Sequence, residues 1–272
     1  MFEPERVQRV LISMYFANLQ AHFRILTNSS SLSLHAVPFV RGVHSHLYPY
    51  TELNPRRCSR LSKRDELILR KEIVKTIALL YQKGLVTPTG GNVSARLPAS
   101  GRFWITPSGL FKGELKARVV VEVALKAKAS FGRLKPSTET PLHSKIYATR
   151  DDVHAIIHAH SPVTLGAALA GIEIKPITPE SVLFVGEVPI VQFEAPGTED
   201  LADRVVEALK FHQVAVMQNH GVVAVGRSMI EALNRLEVVE LTARIMTVAH
   251  IWGGTPTLSP NQLEKLKHLA TA

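Results

Sequence analysis

His158 and His160 flank Ala159 at the end of the apolar run 153–157. On a strand, positions i and i+2 point to one face, so such a pair can share one metal ion. Two distant segments can complete the set. Pro136-Ser137-Thr138-Glu139 offers a carboxylate, and Asn219-His220-Gly221 offers a third imidazole beside a glycine that permits a close backbone approach. Three His with one open position is a catalytic arrangement for zinc. A carboxylate beside such a cation can take a proton that the metal has acidified and return it to a neighbouring atom. Glu139 also has a plainer reading, as an acid near a helix N-terminus, worth about 0.3–1 kcal/mol. His154 shares the parity of His158 and His160 but lies further back along the strand. His143, His212, His250 and His268 fall in helical or charged contexts and read as surface or packing residues.

Glycine-rich turns supply a second kind of chemistry. Gly90-Gly91-Asn92 followed by Ser94, then Ser108-Gly109, and then Ser137-Thr138 each offer backbone N–H and hydroxyl donors, which a phosphate oxygen needs. None of them matches a P-loop or a dinucleotide fingerprint.

The elements that must position these residues follow from periodicity. Ser62 can cap a helix carrying Leu67, Ile73, Ile77 and Leu80 at helical spacing, with Gly84 as its stop. Short strand-like runs follow at 92–97, 102–106 and 119–125, separated by turns such as Pro107-Ser108-Gly109. Pro141 suits the first turn of a helix with Leu142 and Ile146 on one face. Ser161-Pro162 reads as an N-cap and N1 opening a short Ala-rich helix that Gly171 closes. Residues 188–193 suit a strand, 201–210 a helix, and 214–217 and 222–225 two strands joined through His220. After Ser228, the run Ile230, Leu233, Leu236, Val239, Leu241 and Ile245 predicts a long helix ending before Gly253-Gly254. Alternating strands and helices predict an α/β domain, and the consecutive short strands predict a mixed, largely antiparallel sheet.

Composition divides the chain. Residues 1–62 hold seven Arg, no Lys and three acids (Glu3, Glu5, Glu52), which is +4 of the formal +9 carried by all 272 residues. A Lys- and Glu-rich pattern begins at Lys63, so 1–62 reads as a basic leader and 63–272 as the folded domain. A transit segment, a disordered leader and a start placed upstream of the native one are the competing readings of 1–62. No apolar run approaches the roughly 20 residues that span a bilayer, and one cysteine, Cys58, excludes an internal disulfide framework and a Cys-based metal site. Both fit a soluble cytoplasmic protein. The near-balanced body lacks a basic stripe interleaved with aromatics, which argues against nucleic acid as a partner.

Taken in order, Gly91-Asn92-Val93-Ser94, Ile105-Thr106-Pro107-Ser108-Gly109, Pro136-Ser137-Thr138-Glu139, His158-Ala159-His160-Ser161 and Asn219-His220-Gly221 resemble the class II aldolase/adducin family over residues 64 to 254. The resemblance implies a three-layer α/β/α sandwich around a central mixed, mostly antiparallel sheet. It also implies a homotetramer with sites near subunit interfaces. It assigns Zn²⁺, with Mn²⁺ or Co²⁺ as alternatives, to His158, His160 and His220, and the acid/base role to Glu139. It assigns a substrate phosphate to Gly91, Asn92, Ser108, Gly109, Ser137 and Thr138. The implied reaction, similar to that of fuculose-phosphate aldolases, cleaves a phosphorylated ketose to dihydroxyacetone phosphate and an aldehyde through a metal-stabilised enediolate. The related 4-epimerases carry Asp where Glu139 stands. The Tyr that serves fuculose-phosphate aldolase as a proton donor has no counterpart in Ile177–Gly186 or after His250. Within the same family a methylthioribulose-phosphate dehydratase, a sugar-acid phosphate decarboxylase and a non-catalytic adducin-like module remain the alternatives.

Overall fold

The computed structural model describes residues 62–98, 100–125, 129–131, 133–254 and 256–271. The leader 1–61 and Cys58 lie outside the described residues. Helix α1 (Lys63–Gln82) starts where Ser62 Oγ accepts the Asp65 N–H at 3.2 Å, with Asp65 and Glu66 complementing the positive end of the helix. It buries Leu69, Ile73, Thr76, Ile77 and Leu80, whereas Leu67 is exposed, because the apolar face is rotated toward Leu69. Strands β1 (Asn92–Ala95), β2 (Arg102–Ile105), β3 (Val121–Ala124) and β4 (Ala129–Phe131) form an antiparallel meander. The last of these strands, three residues long, is not among the runs that the sequence predicts.

Helix α2 (Thr140–Thr149), with Pro141 in its first turn, leads to β5 (Ala155–Ala159), then α3 (Pro162–Leu169), β6 (Ile190–Val191) and α4 (Glu199–Ala208). Strands β7 (Val214–Met217) and β8 (Gly221–Gly226) form a hairpin before the long α5 (Met229–Ile251) and the terminal α6 (Pro260–Thr271). Only two residues of the run 188–193 pair, as β6, and among the described residues β6 makes the single parallel pairing in an eight-stranded sheet ordered β4-β3-β2-β1-β5-β8-β7-β6. The sheet is therefore mixed and mostly antiparallel.

Two cores sit on its opposite faces. One gathers Ile73, Ile77 and Leu80 of α1 and Leu236 and Val239 of α5 against Val93, Ala95, Ile157 and Ala159. The other gathers Leu142, Ile146 and Tyr147 of α2 and Leu201 and Val205 of α4 against Ile156, Val223 and Val225. Alternation along β5 thus feeds both layers, the three-layer arrangement expected of an α/β sheet with helices on each face.

Two expectations fail locally. Ser161 stands at the N-cap of α3 but makes no capping bond. The buried Glu240 carboxylate of α5 takes the N–H groups of Val163 and Thr164 at 3.3 and 2.9 Å instead, since a carboxylate satisfies two helix-start donors at once. On α5, Ile230, Leu241 and Ile245 are exposed, so only part of the periodic run faces the sheet. No helix among the described residues is long and apolar enough to cross a membrane.

Candidate metal centre

His158 is the penultimate residue of β5, on the same sheet face as Ile156, and His160 follows just past the strand, its N–H held by Leu85 O at 2.8 Å. His220 arrives in the β7–β8 turn, where Asn219 adopts φ 58°, a left-handed conformation that an Asn tolerates. The three rings have centroids 4.7 to 5.9 Å apart, and one nitrogen from each lies within 4.8 Å of the others. Gly221 makes this approach possible. A Cβ there would stand 2.4 Å from Ala159 O and 2.9 Å from His158 Cε1, so any side chain would push the hairpin off the ligand strand.

The Glu139 carboxylate enters from the start of α2. It occupies the N-cap position yet makes no side-chain capping bond. Its Oε2 lies 3.2 Å from His158 Nε2 and its Oε1 3.1 Å from His220 Nε2. Burial alone would raise its pKa, but the His158 and His220 imidazoles and the Asn92 amide outweigh burial and hold the carboxyl well below its usual range. Burial lowers His158 to about 4 and depresses His160, so both rings are neutral at neutral pH and present lone pairs.

The donor set fits a divalent cation. His158 Nδ1 donates to Val222 O at 3.1 Å, which leaves Nε2 as a bare acceptor facing the carboxylate. Two acceptors 3.2 Å apart repel unless something positive lies between or beside them. His158 Nε2 and Glu139 Oε1 are buried without hydrogen-bond partners, and a cation held among the imidazoles by Zn–N bonds of about 2.0–2.1 Å would offer both a partner.

The expected phosphate donors come from loops stitched together by backbone bonds. Pro107 and Pro136 form an isolated bridge, Ser108 N–H donates to Lys135 O at 3.0 Å and Ser137 N–H to Thr106 O at 3.2 Å. Ser108, Gly109 and Thr138 are exposed, while Ser137 is buried with Oγ accepting the Glu139 N–H at 3.3 Å. Gly91 has φ +67°, and a Cβ there would meet Val86 Cγ1 at 2.3 Å. The Asn92 side chain is largely committed elsewhere: Nδ2 donates to Glu139 Oε2 at 2.6 Å and Oδ1 faces His143 Nε2 at 2.5 Å.

Two residues of this neighbourhood carry no sequence signal. His143, read as a surface or packing residue, is fully buried against Asn92 and Ser94. Lys112 is 1% exposed, its Nζ donating to Pro107 O at 2.8 Å and its N–H to Pro88 O, which ties the 106–109 turn to the 87–91 turn. The reverse holds for His154, which is half-buried with Nδ1 near Arg227 O and stands outside the cluster. A cavity of about 670 Å³ lined by residues including Glu173, Lys175, Glu187 and His212 shares no lining residue with the imidazoles.

The family model of the class II aldolase and adducin N-terminal domain matches residues 71–247, a span that includes Glu139 and all three imidazoles. This chain belongs to the class II aldolase and adducin family. Among curated class II relatives, an L-fuculose phosphate aldolase of Methanocaldococcus jannaschii is 33% identical over 65% of this chain and 94% of that protein. A 3-oxo-tetronate 4-phosphate decarboxylase of Pectobacterium atrosepticum is 34% identical over 66% of this chain and 84% of that protein. A solved L-fuculose 1-phosphate aldolase superposes with a TM-score of 0.70 at 27% identity, covering 78% of this chain and 98% of that one. The mixed sheet with helices on both faces is thus the class II aldolase fold.

Proposed function

We propose that this chain is a zinc-dependent class II aldolase that interconverts a phosphorylated ketose with dihydroxyacetone phosphate and an aldehyde. The observation that carries the reading is the convergence of three imidazoles beside the buried Glu139 carboxylate, with His158 Nε2 and Glu139 Oε1 lacking hydrogen-bond partners. His158, His160 and His220 would hold the cation, and Mn²⁺ or Co²⁺ suit the same ligands. Bound there, a divalent cation supplies Lewis-acid stabilisation to charge developing on substrate oxygens.

The protein's own groups do the rest. Gly91, Asn92, Ser108, Gly109, Ser137 and Thr138 surround the phosphate, the backbone N–H groups of the stitched turns serving where a side chain is committed. Fixing that end holds the reacting carbons beside Glu139 and turns a bimolecular encounter into an oriented one. In the direction of synthesis, the Glu139 carboxylate takes a proton from C3 of dihydroxyacetone phosphate. The electron pair left behind forms the C3–C4 bond with the aldehyde carbon, and the aldehyde oxygen takes up a proton to become the C4 hydroxyl. Cleavage runs the same transfers backwards, with Glu139 returning its proton to C3. Neutral His158 and ionised Glu139 are the states this requires.

The Pectobacterium relative favours a second reading, decarboxylation of a phosphorylated sugar acid, in which Glu139 protonates the carbon that loses CO₂. Dehydration of a phosphorylated methylthiopentulose is a third fate open to the same proton transfer. The quaternary state belongs to the same proposal: a cytoplasmic homotetramer with sites near its subunit interfaces, which light scattering of the purified protein checks.

The test incubates zinc-loaded protein with fuculose 1-phosphate, 5-deoxyribulose 1-phosphate, methylthioribulose 1-phosphate and a 3-oxo-tetronate 4-phosphate, and identifies the products. Release of dihydroxyacetone phosphate supports the aldolase. Carbon dioxide, or loss of water from an intact carbon chain, overturns it in favour of the corresponding alternative. A protein that cannot be loaded with metal favours a non-catalytic adducin-like module.

A further inference from the structure

Behind Glu139 runs a chain of buried polar side chains in which the proposed chemistry gives a part only to Asn92, and none to His143, Ser94 or Tyr147. Asn92 Nδ2 donates to Glu139 Oε2 at 2.6 Å, and Asn92 Oδ1 meets His143 Nε2 at 2.5 Å. His143 Nδ1 meets Ser94 Oγ at 2.6 Å, and Ser94 Oγ meets the Tyr147 hydroxyl at 2.8 Å. Every member is nearly or fully buried, from Ser94 and His143 at 0% to Glu139 at 4%. The far end is anchored. The Arg96 guanidinium lies 4.9 Å from the centroid of the Tyr147 ring and donates to the carbonyls of Tyr147, Arg150 and Val153 at 2.7–2.8 Å.

Counting donors leaves few arrangements. The Asn92 amide points its NH₂ at the carboxylate, so its oxygen faces His143 and requires an N–H on Nε2. If Ser94 gave its proton to Tyr147, Nδ1 would need a proton as well, making His143 an imidazolium. Burial opposes that strongly, holding the ring near pKa 3 and therefore neutral. With one proton on Nε2, Nδ1 is an acceptor, Ser94 donates to it, and the Tyr147 hydroxyl donates to Ser94. All four bonds then run the same way.

We infer that His143, as the neutral Nε2–H tautomer, is a positioning residue at the centre of a one-way hydrogen-bond chain, Tyr147→Ser94→His143→Asn92→Glu139, that fixes the orientation of the Glu139 carboxylate. Each link donates toward the carboxylate, so the links polarise one another in the same sense. The chain spans three elements, α2, β1 and the Glu139 turn, and removes the freedom of Asn92 to flip its amide. A flipped amide would turn its oxygen on the carboxylate and displace it from His158 and His220. Substituting such supporting residues typically costs 10–100-fold in activity.

The inference rests on Glu139 acting as the acid/base, and the experiment separates the two. In the full-length protein with ¹⁵N-labelled histidine, with and without zinc, the His143 resonance identified by its loss in His143→Gln is expected to report a protonated Nε2 and a bare Nδ1. The Nδ1–H tautomer or an imidazolium at neutral pH overturns the inference whatever the activity. With the ketose phosphate that proves to be turned over, His143→Leu is expected to lower kcat about 10–100-fold with KM within about twofold. His143→Gln, which can both donate to Asn92 and accept from Ser94, is expected to recover part of that loss. Should His143→Leu fail to fold, Ser94→Ala reads the same link from its other end, with the same drop in kcat at constant KM. Full kcat in a folded His143→Leu or Ser94→Ala overturns the inference. Full turnover in Glu139→Gln would overturn the acid/base reading alone, since the tautomer is measured without turnover.

Discussion

Asn92 and His158 are register partners on β1 and β5, and both reach the same carboxylate oxygen, Glu139 Oε2, at 2.6 and 3.2 Å. One is a donor and the other a bare acceptor, so the oxygen is pinned from one strand and left unsatisfied toward the other. This imbalance is what a cation beside His158 would relieve.

Glu139→Gln keeps the volume of the side chain and a carbonyl oxygen for the Asn92 amide, while removing the titrating group. It is expected to retain the metal and lose turnover about 10²–10⁴-fold. His158→Ala and His220→Ala are expected to lose both, because each removes a ligand. Elemental analysis together with turnover checks the three variants, and equal activity in Glu139→Gln and the parent removes Glu139 from the mechanism.

Gly221→Ala tests the packing of the hairpin against the ligand strand. Its Cβ would meet a backbone oxygen, Ala159 O at 2.4 Å, which cannot swing aside as a side chain can. The expected outcome is loss of bound metal and a fall in stability of about 1–3 kcal/mol, as for other overpacked positions. Denaturant titration and metal content measure it; a variant with normal metal content and midpoint would show that the hairpin has room.

Lys112 makes a prediction with a definite sign. Burial lowers its pKa from 10.5 to about 8, so between those values the unfolded chain binds more protons than the folded one, and stability from this group rises with pH. Below about pH 8 the buried charge costs its full amount, roughly 3 kcal/mol. Urea titrations of the parent and Lys112→Met at pH 7.5 and 10 should show the parent gaining relative to the variant at the higher pH. A constant difference would mean that Lys112 titrates normally.

Metal removal should destabilise the fold. With free metal a thousandfold above its Kd, binding to the native state alone adds about 4 kcal/mol, and a chelator takes this away. Thermal melts with and without chelator, followed by zinc addition, check the effect; identical midpoints would argue against a native site.

Deleting residues 1–60 leaves Ser62, whose Oγ caps α1, and the whole family match from residue 71. The shortened chain is expected to be soluble, with the oligomeric state and turnover of the full chain. An insoluble or monomeric product would assign the leader a structural role.

Much of the fold was legible because local rules carried it. The Ser62 cap, Pro141 in the first turn of α2 and the β7–β8 hairpin obey short-range chemistry and appear where the sequence predicts them. Leu67 and Leu241 mislead, since an apolar side chain at helical spacing says which residues share a face but not which face meets the sheet. Ser161 misleads differently, because Glu240, 79 positions along the chain, outcompetes it for the α3 N-terminus.

The amino-acid sequence by itself determined the chemical inventory: two imidazoles sharing a strand face, a third beside a glycine, a carboxylate at a helix start, and glycine-rich turns. These are properties of neighbours, set by periods of two and 3.6 residues. Only the tertiary structure decided that Glu139 turns inward onto the imidazoles, and that His143 stands behind Asn92. Those bonds join residues 47 and 51 apart, so they depend on the β1–β5 register and on where α2 packs against the sheet. Both are outcomes of core packing over the whole domain, which no local pattern encodes.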